Sequence, residues 1–278
     1  FLKVFGADNL AKAVDVVFIQ DGGYSGINVV ISTYAFALQI YCDFAGYSFM
    51  AIGLGRAMGI ELMENFRRPY FAHNISDFWR RWHISLSSWF RDYVFSPFYI
   101  YCGEQLKLKN LSMKMRHGIA FFVALLLTEA VLGLWHGAGW NFVFFGIYHG
   151  LAIWAYYLFR RAWDRMNRFV QIFFTFNVAC VGWLIFRAPT LSQSWEMILS
   201  LFTNFQLDLA LLPQYIGIQV FFLVSILVTV QILQERKNDA LVVLTWPVYI
   251  RYPFIALLFL LIIVFGDFGG RPFIYFQF

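Results

Sequence analysis

Five long, predominantly apolar runs set the strongest limit on what this chain can become. They are Ile119–Trp135, Trp140–Phe159, Phe169–Phe186, Tyr215–Leu233 and Val248–Phe265, each close to the roughly 20 residues that carry a helix across a bilayer. Backbone N–H and C=O groups find no water in lipid, so such runs must fold as helices that satisfy their own hydrogen bonds. A sixth stretch, 26–60, is too long for one plain span, because its residues would rise about 52 Å as a helix. It contains "YCDFAGYS", where Asp43 and Gly46 interrupt the apolar run. A tilted or broken helix with a polar inward face is expected there. Charge agrees with lipid: Asp, Glu, Lys and Arg make up 13% of the 278 residues, about half the share of soluble domains. The expected fold class is an all-α polytopic membrane protein.

The charges that remain lie in a few loops and give an orientation. Residues 61–116 hold nine Lys/Arg against five Asp/Glu, and 160–168 hold Arg160, Arg161, Arg165 and Arg168 against Asp164. Residues 188–214 have no Lys or Arg, only Glu196 and Asp208. The positive-inside rule therefore puts 61–116, 160–168 and the "ERK" at 235–237 in the cytoplasm and 188–214 outside. The net charge of +5 suits an inner leaflet, and no nucleic-acid partner is expected. Cys42, Cys102 and Cys180 are isolated in or beside apolar stretches and have no metal spacing, so they read as structural. The opening "FLKVFGADNLAKAVDVVF" reads as the interior of a longer protein. Residues 1–278 are taken as a single membrane-embedded domain that lacks its N-terminal helices, with 61–118 as an amphipathic, re-entrant segment on the cytoplasmic side.

Within that segment, "DFWRRWHISLSSWFRDY" at 77–93 mixes tryptophans with arginines. Asn74 or Ser76 can cap a helix starting near Asp77. A helix continued from there would align Phe78, Trp82, Trp89 and Tyr93 on one face, with Trp79, His83, Leu86 and Phe90 as a neighbouring stripe. Rings at headgroup level and snorkelling arginines suit a membrane–water interface. The arginines read either as headgroup anchors or as partners for an anionic ligand.

His136, in "GLWHGAGWN", ends one apolar run and precedes the next. An ionisable group at that depth is costly and marks a candidate site, and an imidazole can take a proton from a hydroxyl nucleophile near neutral pH. The competing reading is a helix-end histidine satisfied by a carbonyl. His83 is the second candidate, set against a plain interfacial histidine. His149 lies 13 residues after His136, about 20 Å along a continuous helix, so it shares no reacting atom with His136 unless the helices fold back. His73 and His117 read as loop-edge residues. Asp43 and Glu129 are acids at membrane depth that need a polar cavity or a partner. There is no phosphate loop, zinc spacing or GxSxG elbow.

The blocks at 39–70, 74–97 and 132–150, including "RWHISLS" and "LGLWHGAGW", resemble the membrane-bound O-acyltransferases. The likeness is greatest to the bacterial branch that acetylates alginate and, more distantly, D-alanylates teichoic acids. The resemblance implies a ring of transmembrane and re-entrant helices around a central tunnel, in the bacterial inner membrane. It implies transfer of an acyl group, acetyl foremost, from a cytoplasmic thioester such as acetyl-CoA, with no tightly bound cofactor and no metal. An exported polysaccharide is the implied acceptor, and extracytoplasmic acetyltransferase proteins are the implied partners beside membrane lipid. His136 carries over as the principal catalytic residue and His83 as a second histidine on the cytoplasmic approach. Asp43, Trp79, Trp135, Asn141 and His149 are the further residues expected along the tunnel. Within the enzyme class the alternative is D-alanyl transfer to teichoic acid. Outside it, the alternative is a proton-coupled transporter or a non-catalytic scaffold.

Overall fold

The computed structural model describes residues 1–107, 111–206 and 216–274. Tyr215, where the sequence reading starts its fourth apolar run, lies outside the described residues, as do Lys109, Asp208 and the closing residues 275–278. Among the described residues, six helices are long and apolar enough to cross a membrane: 26–57, 113–136, 140–163, 168–187, 217–237 and 248–265. The chain is an all-α, multi-pass membrane protein, as expected. Its contacts divide it into two units, residues 1–62 with 196–278, and residues 63–195.

In the first unit a π-helical turn, Leu2–Ala7, leads into α1 (Asp8–Phe18), which packs along α2 (Gly26–Ala57). Phe18 and Phe36 meet with ring centroids 6.2 Å apart. α2 runs unbroken for 32 residues; of the two outcomes expected for this stretch, the break does not occur. Gly46 instead lets the N-terminal turn approach, since a Cβ there would stand 3.2 Å from Leu2 Cβ and 3.3 Å from Lys3 N. The polar inward face is present, with Asn28, Ser32 and Asp43 all buried. α9 (Leu191–Thr203) leads on to Asn204, which joins α2 where its carbonyl accepts from Gly26 N at 2.8 Å. α10 (Ile216–Lys237) adds a buried hydrogen bond from Gln231 Nε2 to Tyr41 OH at 2.8 Å. The end of α11 (Val248–Phe265) is fastened by Asn9 Nδ2 donating to the Phe265 carbonyl at 2.7 Å.

In the second unit α6 (Met113–His136) and α7 (Trp140–Trp163) form an antiparallel hairpin closed by Gly137–Gly139, and α8 (Arg168–Arg187) packs on α7. The hairpin is tight because glycines face backbone: a Cβ on Gly146 would sit 1.9 Å from the Glu129 carbonyl oxygen, and one on Gly133 2.1 Å from that of Phe142. Small residues at such contacts let apolar helices gain packing where lipid gives no hydrophobic drive. Outward, Val131, Leu158, Phe173 and their like are exposed, as lipid-facing surfaces are.

Before this hairpin the chain makes three short helices, α3 (Ile75–Arg81), α4 (Ile84–Phe90) and α5 (Ser96–Lys107), with a π-helical turn at Arg91–Phe95. Their position along the hairpin can be read from neighbours. The His73 carbonyl accepts from Trp163 Nε1 at 2.7 Å, at the C-terminal end of α7. His83 meets Trp135, at the opposite end of the hairpin, with ring centroids 6.3 Å apart. Tyr99 OH is 2.8 Å from His117 Nδ1, back at the first end. Residues 73–99 thus run in, turn at His83 and run out along an α6 of about 36 Å.

Candidate active site

His83 stands at the turn of that re-entrant run, and its backbone shows what the turn needs. The single helix expected from Asp77 through Tyr93 is not formed. Asn74 does cap α3, its Oδ1 accepting from Asp77 N at 2.8 Å. The helix then stops: Trp82 is extended and His83 is left-handed at φ 42°, ψ 55°. Few residues other than glycine take that conformation, asparagine, aspartate and histidine more often than the rest, and it costs about 1–2 kcal/mol. Residues 65–67 hold it in place. Phe66 and Trp82 form an antiparallel bridge, Arg67 N donates to the Arg81 carbonyl at 3.0 Å, and Ile84 N donates to that of Asn65 at 3.1 Å. The Asn65 side chain accepts from Ser85 N at 3.2 Å and from Ser85 Oγ at 2.6 Å. The break also dissolves the two expected stripes: Trp82 is buried, while Trp89 and Tyr93 are exposed.

The Asn65–Ser85 pair further defines the His83 imidazole. The Ser85 hydroxyl proton goes to Asn65, so toward His83 Nδ1, at 3.4 Å, the oxygen offers a lone pair. That long contact favours the proton on Nδ1 and the basic lone pair on Nε2. Burial pushes the His83 pKa down to about 4, so the ring is neutral at pH 7.

His136 ends α6 and is buried at the hairpin turn. Its ring is edge-on to Trp135 at 4.8 Å, to Phe186 at 5.1 Å and to Phe145 at 6.3 Å. Trp135 therefore touches both histidines. Charge patterning alone sets the His83 block at one face and His136 toward the other. Folding the re-entrant run along α6 brings the two together.

The remaining expected residues divide among different roles. Trp135 is 52% exposed beside both imidazoles. Asn141 is buried and donates from Nδ2 to the Ala188 carbonyl at 3.1 Å, which ties the start of α7 to the end of α8. The helices do fold back, yet His149 stays apart from His136, because Phe145 lies 4.7 Å from one ring and 6.3 Å from the other. His149 is fully buried among Phe78, Trp79 and Tyr148. Its ring fills the space left by Gly182, whose Cβ would stand 2.2 Å from Nε2. Asp43 belongs to the first unit, where Lys3 Nζ lies 2.8 Å from it and Ile274 N donates to it at 2.7 Å. Trp79 lines a half-open cavity of about 270 Å³ between the re-entrant run and α6. Ile84 and Leu132 line it too, respectively next to His83 and one turn from His136. Glu129 also lines it, while Arg80 and Arg91 are exposed at its rim.

Asn65 and Ser85 are the residues that sequence reasoning missed. They hold His83 from 18 residues upstream and 2 downstream, and no period or motif announces such a pairing.

Comparison with known proteins matches the sequence of this chain to a family. Residues 23–191 match the membrane-bound O-acyltransferase family. The chain is similar to the probable alginate O-acetylase AlgI of Azotobacter vinelandii, 39% identical over 72% of this chain and 38% of the relative. It is similar to the protein of the same name from Pseudomonas putida, 36% identical over 99% of this chain and 58% of the relative. The teichoic acid D-alanyltransferase of Bacillus subtilis is 37% identical over 55% of this chain and 39% of its own length. The chain thus spans between about two fifths and three fifths of the length of these relatives. With the family match covering more than half of its residues, the chain belongs to the membrane-bound O-acyltransferase family.

Proposed function

We propose that this chain is the catalytic part of a membrane O-acyltransferase that passes an acetyl group from a cytoplasmic thioester, such as acetyl-CoA, to a hydroxyl of an exported polysaccharide. The observation that carries the reading is the meeting of His83 and His136 around Trp135, on elements that enter the bundle separately. The alginate O-acetylase relatives support acetyl as the group and a polysaccharide as the acceptor. The bacterial source of those relatives supports the inner membrane as the location.

In this reading His136 acts as general base. It takes the acceptor hydroxyl proton as the oxygen attacks the thioester carbonyl, the C–S bond breaks, and the proton passes to the leaving thiolate. Atoms and charge balance with no net proton uptake. His83, neutral at pH 7, offers a hydrogen bond rather than a positive charge to the reacting group. Trp135, exposed beside both rings, forms a wall of the tunnel through which donor and acceptor meet. Extracytoplasmic partner proteins bring the glycan to the site.

His136→Ala in membranes supplied with acetyl-CoA and glycan tests the proposal. Transfer should fall by about 10²–10⁴ with thermal unfolding unchanged, and retained transfer would overturn the catalytic assignment. Mass spectrometry of glycan from cells with and without the gene separates donors. An acetyl increment supports the proposal, and an alanyl increment supports D-alanyl transfer instead, the reading favoured by the Bacillus subtilis relative.

A further inference from the structure

A separate half-open cavity, of about 210 Å³, lies in the second unit between α7 and α8, bounded also by the start of α3. Ile75, Ala152, Ala155 and Phe159 give it apolar walls, and the rings of Tyr156 and Trp163 add to them. The polar tips of those rings are committed to the protein. Trp163 Nε1 donates to the His73 carbonyl at 2.7 Å, and Tyr156 OH to Asp164 Oδ1 at 3.3 Å. At several times the ~30 Å³ share of one water, the slot takes a short run of methylenes. Phe159 is 67% exposed and opens it toward the outward surface that carries Leu158 and Phe173, where lipid lies. The end of α7 beside the slot is cationic. Tyr156, Arg160 and Trp163 follow the i, i+4, i+7 spacing that sets them on one helical face, and Arg161 and Arg165 come next in the chain. All three arginines are exposed, and among the described residues none forms an ion pair. The one acid of this stretch, Asp164, already accepts from Tyr156. Anchoring in headgroups accounts for arginines at a helix end, but not for an apolar slot beside them.

We propose that the slot between α7 and α8 holds one acyl chain of an anionic phospholipid whose phosphate sits among Arg160, Arg161 and Arg165. Such a lipid joins an apolar chain to a negative headgroup through a few bonds, which is the pairing that the slot and its cationic edge offer. The site shares no lining residue with the cavity beside Trp79. Asn74 and Ile75 line the slot, so its occupant packs against the first turn of α3, where the re-entrant run begins. The lipid thereby braces the run that carries His83 without touching either histidine. The proposal needs only a bilayer and is independent of the acyl-transfer reading.

The test uses the full chain, stripped of lipid in detergent, with dioleoyl phosphatidylglycerol as the probe and native mass spectrometry as the readout. One molecule should bind at least about tenfold more tightly than dioleoyl phosphatidylcholine, whose headgroup has no net charge. Arg160→Gln and Arg161→Gln should each weaken phosphatidylglycerol binding about fivefold, the scale of one basic residue near an anionic lipid. Ala155→Phe fills the slot and leaves the arginines in place. It should weaken binding of both lipids about tenfold or more, the scale of two methylenes no longer buried. Glycerol 3-phosphate, which has the phosphate and no chain, should not displace the lipid. Bound phosphatidylglycerol should raise the Tm of the parent and not that of Ala155→Phe. Equal binding of the two lipids would overturn the proposal, and so would displacement by glycerol 3-phosphate, which would assign the arginines to a soluble phosphate. Losses in the arginine variants with none in Ala155→Phe would mean a general attraction of the surrounding lipid, and would overturn it as well. If Ala155→Phe fails to fold, a phosphatidylglycerol with a diazirine in one acyl chain decides instead. On illumination it should label 152–163 or 175–178, and labelling confined to other segments would sink the site.

Discussion

Asp43 and Glu129 are both carboxyl groups buried in helices long enough to cross a bilayer, and the fold treats them in opposite ways. Asp43 is fully engaged. Lys3 Nζ lies 2.8 Å from one of its oxygens and 2.9 Å from Asp8, and Ile274 N donates to the other oxygen at 2.7 Å. The acid joins Lys3 and Ile274 within the first unit, through an ion pair on one oxygen and a backbone hydrogen bond on the other. Among the described residues Glu129 forms no ion pair, and its Oε2 is buried without a hydrogen-bond partner. The contrast teaches how to sort acids at membrane depth: a satisfied one is explained by the fold, and an unsatisfied one is carried at a cost.

The sharpest way to break the comparison is to unpair Asp43. Lys3→Met leaves a carboxylate buried without its cation, and breaking such a pair costs about 3–5 kcal/mol. Lys3 is partly exposed, which argues for the lower end of that range. Thermal unfolding in detergent should show a large drop in Tm. Asp43→Leu added to Lys3→Met should recover part of it, though not all, because the Ile274 N–H and Asp8 then lose their own partners. A Lys3→Met protein as stable as the parent would mean that Asp43 is no more integral than Glu129.

Glu129→Leu should act in the other direction. Removing an unpartnered buried carboxyl should leave stability unchanged or raise it by about 1 kcal/mol, as replacing unsatisfied polar groups by apolar ones does. Tm measured in detergent checks this. A marked fall in Tm would place Glu129 with Asp43 as a structural acid.

How much of this was legible beforehand follows from the range of each interaction. The spans were readable because a helix crossing lipid must be apolar over its whole length, and the ends of α6, α7, α8 and α11 fall close to the runs read from sequence. The Asn74 cap was readable because capping acts over three residues. The stop at Trp82–His83 was not. Neither proline nor glycine marks it, and it depends on Asn65 and Phe66 reaching across to 82–85. A helical wheel through that region therefore set Trp82 and Trp89 on one face, whereas one is buried and the other exposed. The approach of His83 to His136 was hidden for the same reason. They are 53 residues apart, and only the turning of the re-entrant run at His83 brings it to the far end of α6. Glu129 could be singled out as an acid at membrane depth, but whether it finds a partner depends on packing that no local pattern announces.

The smallest expected effect concerns His83, whose strain and burial set it apart from both acids. Burial lowers its pKa from 6.5 to about 4, so the unfolded chain binds a proton there that the folded chain refuses. Its contribution to stability is therefore complete above about pH 6.5 and is lost progressively as the pH falls from 6.5 toward 4. Asparagine tolerates the left-handed backbone at this position and carries no titrating group. His83→Asn should thus fold, and its Tm should fall less between pH 7.5 and pH 5 than that of the parent. Asparagine also cannot supply the same Nε2 lone pair, so transfer should weaken even at pH 7.5, where stability is equal. An unchanged pH dependence would mean that water reaches the imidazole freely. In that case the turn held by Asn65 and Ser85 would serve the backbone alone, and the case for His83 beside His136 would rest on Trp135.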